Sequence, residues 1–98
     1  MDVKEAQELM RHIYYERDQA SGLERTLLRT FEELGELSDA ILGKKSTEEI
    51  EEEVADVFAW LCSLANLLDV DLSEALIRKY PQVCYRCHEA PCQCKESK

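Results

Sequence analysis

Apolar residues recur every three or four positions along most of this chain, the spacing of one face of an α-helix. Val3, Ala6, Met10 and Ile13 form a first stripe, predicting a helix from about Val3 to Asp18, with Gln-Ala-Ser-Gly at 19–22 as a break. Leu23, Leu27, Phe31, Leu34, Leu37 and Ile41 form a second line over about 23–42, and Gly43 follows where a C-terminal cap glycine belongs. After a Lys44-Lys45 loop, Ser46-Thr47-Glu48-Glu49 has the form of a capping box. The third helix then carries Ile50, Val54, Val57, Leu61, Leu64, Ala65 and Leu68. Asp71, with Glu74 three residues on, starts a short fourth helix that Pro81 ends. Strand-like alternation is absent, so the expected fold is an all-α bundle of about four helices.

The third helix has an unusually broad apolar face. At 100° per residue, Ile50, Val54, Val57, Leu61 and Leu68 share a narrow arc. Phe58 widens it on one side, and Trp60, Leu64 and Leu67 on the other. One neighbouring helix does not cover such a face. The second helix is one expected neighbour and a partner subunit another, so the bundle is expected to be completed by oligomerisation as a homodimer or homotetramer. A chain of 98 residues buries a modest core, which adds to the case for self-association.

Composition narrows the function classes. Hydrophobic content of 45% with 34% charged residues fits a globular protein. No apolar run approaches the ~18 residues of a membrane span, and the first ten residues lack a signal-peptide pattern. The expected location is the cytoplasm, with no membrane partner. A net charge of -9 argues against binding nucleic acid through its phosphates. Residues 46–77 contain nine acidic side chains and no Lys or Arg, so that segment carries the entire net charge. Glu48, Glu49, Glu51 and Glu52 read as a solvated face in the first turns, where the helix dipole favours anions.

Two acidic pairs stand apart from that face. Glu33 and Glu36, and then Glu53 and Asp56, each sit at i and i+3 and point the same way on a helix. Both pairs flank the apolar line of their helix. Packed antiparallel, the two helices would aim four carboxylates into one cleft, where they repel unless a cation neutralises them. Hard oxygen donors suit Mg²⁺, or Mn²⁺, better than zinc, and Mg²⁺ commonly works on phosphates. Gly35, inside the first pair, costs about 1 kcal/mol relative to alanine. It reads equally as a tolerated packing glycine or as room for a helix or ligand.

These residues resemble a known family. Thr26-Leu27-Leu28, then Glu32 through Ile41, then Glu52 through Val57 resemble the MazG-type nucleoside triphosphate pyrophosphohydrolases, whose pattern is EExxE, a spacer and ExxD. Glu32, Glu33, Glu36, Glu53 and Asp56 match it. Residues 70–76, Lys79-Tyr80-Pro81 and Tyr15 through Leu23 are also similar, so the resemblance spans 5–81. It implies dimers or dimers of dimers that use Mg²⁺ to hydrolyse a nucleoside triphosphate between the α- and β-phosphates, in nucleotide-pool house-cleaning. Carried over, Glu33, Glu36, Glu53 and Asp56 would ligate the metal, and Glu32 would be an outer ligand or position the attacking water. Lys79 is the first candidate to meet the triphosphate, ahead of Arg78, Lys44 and Lys45. Trp60 reads as core, the alternative being that it or a first-helix tyrosine stacks on the base. His12 reads as surface or packing. Phosphoribosyl-ATP pyrophosphohydrolase is a similar relative, but the lysine usual before its acidic pair is replaced here by Leu28-Arg29-Thr30-Phe31.

The end of the chain departs from the helical pattern, which divides the sequence into a helical domain, 1–81, and a cysteine-rich tail, 82–98. Cys84, Cys87, Cys92 and Cys94 give C-x2-C-x4-C-x-C, which in a cytosolic chain reads as a structural Zn²⁺ site before it reads as disulfides. His88 is an alternative ligand; disulfides or a disordered tail are the other readings. Cys62 reads as a small buried hydrophobe. A reading of another class is a non-catalytic helical interaction module whose acidic faces bind a basic partner and whose tail binds zinc.

Overall fold

A computed structural model describes residues 1–95. It contains four α-helices: α1 (Val3–Ser21), α2 (Leu23–Leu42), α3 (Thr47–Leu68) and α4 (Leu72–Lys79). No strand occurs among the described residues. The last three residues of the expected tail, 96–98, lie outside the described residues.

The helix ends follow local chemistry. Asp2 caps α1 by accepting the Glu5 N–H at 2.8 Å while Glu5 accepts the Asp2 N–H at 3.0 Å. Gln19, Ala20 and Ser21 continue α1 rather than breaking it, because nothing in them opposes helical backbone. Gly22 alone makes the break, with φ +92, a conformation that costs glycine least. It ends α1 and begins α2 at once. Ser46 caps α3 by accepting the Glu49 N–H at 3.2 Å, and Asp71 caps α4 by accepting the Glu74 N–H at 2.9 Å.

α3 is the central element, packed against α2 on one side and α1 on the other, and α4 lies on α1. The α1–α3–α4 junction is polar. Gln7 donates to the Asn66 side chain at 3.0 Å and to the Val70 carbonyl at 2.7 Å, and accepts the Leu72 N–H at 2.9 Å. The Asn66 amide returns a bond to the Gln7 carbonyl at 3.2 Å.

The interior of the chain differs from the expected one. The buried positions of α2 are Thr26, Glu33 and Ala40, and those of α3 are Cys62, Ser63, Ala65 and Asn66. Along the expected apolar line of α2, Leu23, Leu27, Leu34 and Ile41 are exposed, and Phe31 is 79% exposed. On α3, Val54, Phe58, Leu61 and Leu68 are exposed too. The residues that α2 and α3 bury are small or polar, and the bulky faces of both helices are turned outward. Such extended apolar surface on one chain marks an interaction surface.

Residues 80–95 form turns rather than helix. Cys84 donates its N–H to the Glu89 carbonyl at 3.0 Å and accepts the His88 N–H on its own carbonyl at 2.9 Å. Tyr85 meets Tyr80 edge-on, with ring centroids 5.7 Å apart, and Lys79 Nζ sits 4.6 Å from the Tyr85 ring centre. No helix among the described residues is long and apolar enough to cross a membrane.

Candidate active site

The buried face of α2 carries Glu33, and α3 brings Glu53 and Asp56 against it. One oxygen from each of these three carboxylates lies within 4.8 Å of the others. Glu33 is 6% exposed. Glu53 is half-buried, and its Oε2 is buried with no hydrogen-bond partner among the described residues. Buried oxygens almost always have a partner, so this one is an unmet acceptor on a member of the triad.

Glu36 is exposed and outside that triad, yet close enough to act on it. Burial pushes the Glu33 carboxyl up, and a hydrogen bond that its protonated form gives to Glu36, with the charges of Glu36 and Asp56, pushes it further, against the pull of Arg29. Burial also pushes Glu53 up, followed by the charges of Glu36, Asp56 and Glu52. Both acids therefore resist ionisation, first because they are drawn out of water and then because like charges surround them. The donor set is all oxygen, anionic and partly desolvated, which fits a hard divalent cation.

One base does reach the cluster. Arg29, one turn before the pair on α2, contacts Glu33 Oε1 at 3.1 Å and Glu32 Oε1 at 2.8 Å. Glu32 is thereby turned outward and exposed. Arg29 also begins a basic border that the sequence reading missed. Trp60, one turn beyond Asp56, lies 4.5 Å from the Arg17 guanidinium and 5.3 Å from that of Arg29. Arg17 in turn sits 3.9 Å from the Tyr14 ring centre and 2.8 Å from Asp18 Oδ1. A hollow of about 200 Å³ opens between Arg17, Arg25, Arg29 and Trp60. Trp60 is half-buried between two cations rather than packed in an apolar core. The sequence held a signal for this: Arg25, Arg29 and Glu33 repeat every four residues, and Asp56 and Trp60 share the same spacing, each a single helical face.

The other candidates lie elsewhere. Lys79, the last residue of α4, is taken up by Tyr85 in the turns that follow. The start of α4 is tied to Gln7, about ten residues along α1 from Arg17, or ~15 Å. Arg78, Lys44 and Lys45 are exposed on α4 and on the loop before α3, and His12 is exposed on α1. Gly35 has open space where a side chain would go, so nothing in its own chain presses on it. Cys62 is fully buried, and burial pushes its thiol up, as suits a small apolar filler. The sulfurs of Cys84, Cys87, Cys92 and Cys94 gather within 4.8 Å of one another, without His88.

With this geometry in view, a comparison with family models gives one match: the MazG nucleotide pyrophosphohydrolase domain, over residues 21–88. That is more than half of the chain, and it takes in α2, α3, α4 and both acidic pairs. No curated protein matches the chain.

Proposed function

This chain belongs to the MazG nucleotide pyrophosphohydrolase family, and we propose that it hydrolyses a nucleoside triphosphate between the α- and β-phosphates to a nucleoside monophosphate and pyrophosphate. The observation that carries the reading is the Glu33, Glu53 and Asp56 cluster, in which one oxygen of each carboxylate lies within 4.8 Å of the others and Glu53 also keeps a buried, unpartnered Oε2. Bound there, Mg²⁺, or Mn²⁺ in its place, would neutralise phosphate charge and make water more acidic.

The chain's own residues divide the work. Glu33, Glu53 and Asp56 hold the cation, and Glu36, whose charge bears on Glu33 and Glu53, closes the set. Glu32, tethered by Arg29, orients water at the rim. Arg17, Arg25 and Arg29 receive the triphosphate, which needs cations that the acids do not supply. Trp60 offers a flat face to the base. Lys79, set against Tyr85 at the end of α4, is a further base to meet the triphosphate. A homodimer or homotetramer covers the outward apolar faces of α2 and α3. The setting is cytoplasmic house-cleaning of the nucleotide pool, with no nucleic-acid or membrane partner. The tail holds a structural Zn²⁺.

The test is a panel of canonical and damaged nucleoside triphosphates incubated with Mg²⁺. Pyrophosphate and monophosphate in equal amounts are expected. Orthophosphate with diphosphate would overturn the cleavage position. No turnover with Mg²⁺ or Mn²⁺ would leave the non-catalytic interaction module as the better account.

A further inference from the structure

Four thiols converge at the end of the chain, where no helix holds them. None is in a disulfide. The sulfurs of Cys92 and Cys84 are 3.6 Å apart, those of Cys84 and Cys94 3.8 Å, and those of Cys87 and Cys92 3.9 Å. A tetrahedron with its centre about 2.3 Å from each corner has an edge of about 3.8 Å, and 2.3 Å is the zinc–thiolate bond length. The observed spacings match that edge. A disulfide would bring sulfurs to about 2.05 Å in separate pairs. An iron–sulfur cluster places its own inorganic core between the cysteines and spreads them apart. The spacing selects one mononuclear ion.

The surrounding backbone is built for thiolates. Arg86 N–H points at Cys84 Sγ at 3.4 Å, Gln93 N–H at Cys87 Sγ at 3.3 Å, and Cys94 N–H at Cys92 Sγ at 3.3 Å. Donors of this kind orient and tune metal ligands. Backbone bonds at Cys87 and Arg86 pull the Cys84 thiol down to about 6, while bonds with Cys92 and Cys87 push Cys94 up to about 12.

We propose that Cys84, Cys87, Cys92 and Cys94 bind a single Zn²⁺ as a tetrathiolate that knots residues 80–95 onto the end of α4. Zinc prevails over mononuclear iron because it binds such ligands more tightly in the divalent series. The knot also fixes Tyr85, which lies between two of the ligands and holds Lys79 and Tyr80. The site stands apart from the acidic cluster and does not rest on its catalytic reading.

The test uses the full chain, purified under reducing conditions without chelators. Elemental analysis is expected to find about one zinc per chain. Chelation is expected to make the four tail thiols newly reactive towards a thiol reagent, with Cys62 still protected. Replacement by Co²⁺ should give the visible absorption of a tetrahedral cobalt thiolate. Cys92→Ser should lose the metal and keep the helical circular dichroism, whereas His88→Ala should keep the metal. Stoichiometric iron, disulfide-bonded tail cysteines or metal-free protein would overturn the proposal. So would zinc retained in Cys92→Ser or lost in His88→Ala.

Discussion

The acidic cluster and the cysteine cluster solve the same problem on opposite scaffolds. Each gathers like-charged or ionisable groups within 4.8 Å. The acids sit on two long helices, so backbone hydrogen bonds and the α2–α3 contact hold them together against their repulsion. The cysteines sit on a stretch of turns, where little but the sulfurs links Cys84 to Cys94. A helix-borne site keeps its geometry without an ion and spends stability to do so; a loop-borne site draws its order from the ion. On the functions proposed above the ligands differ to match: hard oxygens for a cation that would exchange with substrate, soft sulfurs for one that would stay.

The largest test removes a helix-borne charge. Glu53→Gln is expected to lower Mg²⁺-dependent pyrophosphate release by more than the about 10–100-fold that loss of a merely supporting residue costs. The same change should raise the melting temperature of metal-free protein, because one repelling charge is gone. Wild-type turnover in this variant would sink the site assignment.

Arg29→Ala probes the basic border. Loss of a charge-assisted bond to substrate predicts a KM raised about tenfold, or about 1.4 kcal/mol. Steady-state kinetics should show kcat changed far less; a pure kcat effect would move Arg29 from substrate binding to positioning of Glu33.

The helical scaffold is tested through its exposed face. Phe31→Glu on a free surface would change stability by no more than about 0.5 kcal/mol. With a second copy seated on α2, sedimentation should shift to smaller species and thermal unfolding should fall by several degrees. Unchanged assembly and stability would remove Phe31 from any interface.

Titration separates the two clusters by sign. Glu33 and Glu53 are held above their ordinary values. The stability they confer is full below the ordinary carboxylate range and is lost as pH rises through the raised values. Metal-free protein should therefore melt lower at neutral than at mildly acidic pH, and Mg²⁺ should reverse the trend at neutral pH. Tail order should move the other way, since thiolate ligation is lost in acid. Amide exchange of residues 80–95 with zinc present would report it.

The smallest effect belongs to Gly35→Ala. With open space around its Cβ position, it should stabilise α2 by about 1 kcal/mol in thermal unfolding. A destabilising result, or slower turnover, would mean that a second copy or the substrate passes over Gly35.

Much of this was legible in the sequence because it is local. The ends of α2, α3 and α4 follow from Gly22, Gly43, Ser46 and Asp71, and the acidic pairs follow from i,i+3 spacing. Facing direction was not legible. The line through Leu27, Phe31 and Leu34 announces an apolar face, but periodicity does not say whether its partner is in the same chain or another. Glu36 lies outside the close triad although it has the same i,i+3 offset from Glu33 that Asp56 has from Glu53, so spacing along one helix does not decide which carboxylates meet. The Arg17–Trp60–Arg29 stack was hidden because it joins three helices. The cysteine tail was legible as a ligand pattern, while its tetrahedral spacing is a property of the folded turns.

The absence of any Lys or Arg between residues 45 and 78 gives the molecule a built-in reporter. Trypsin has no bond to cut in α3, so residues 46–78 leave complete digestion as one fragment carrying Glu53, Asp56 and Cys62. Its sites at Lys79 and Arg86 bracket Cys84, the first cysteine of the cluster. Under limiting protease, a single band pattern would therefore register the state of the tail while staying blind to the acidic helix.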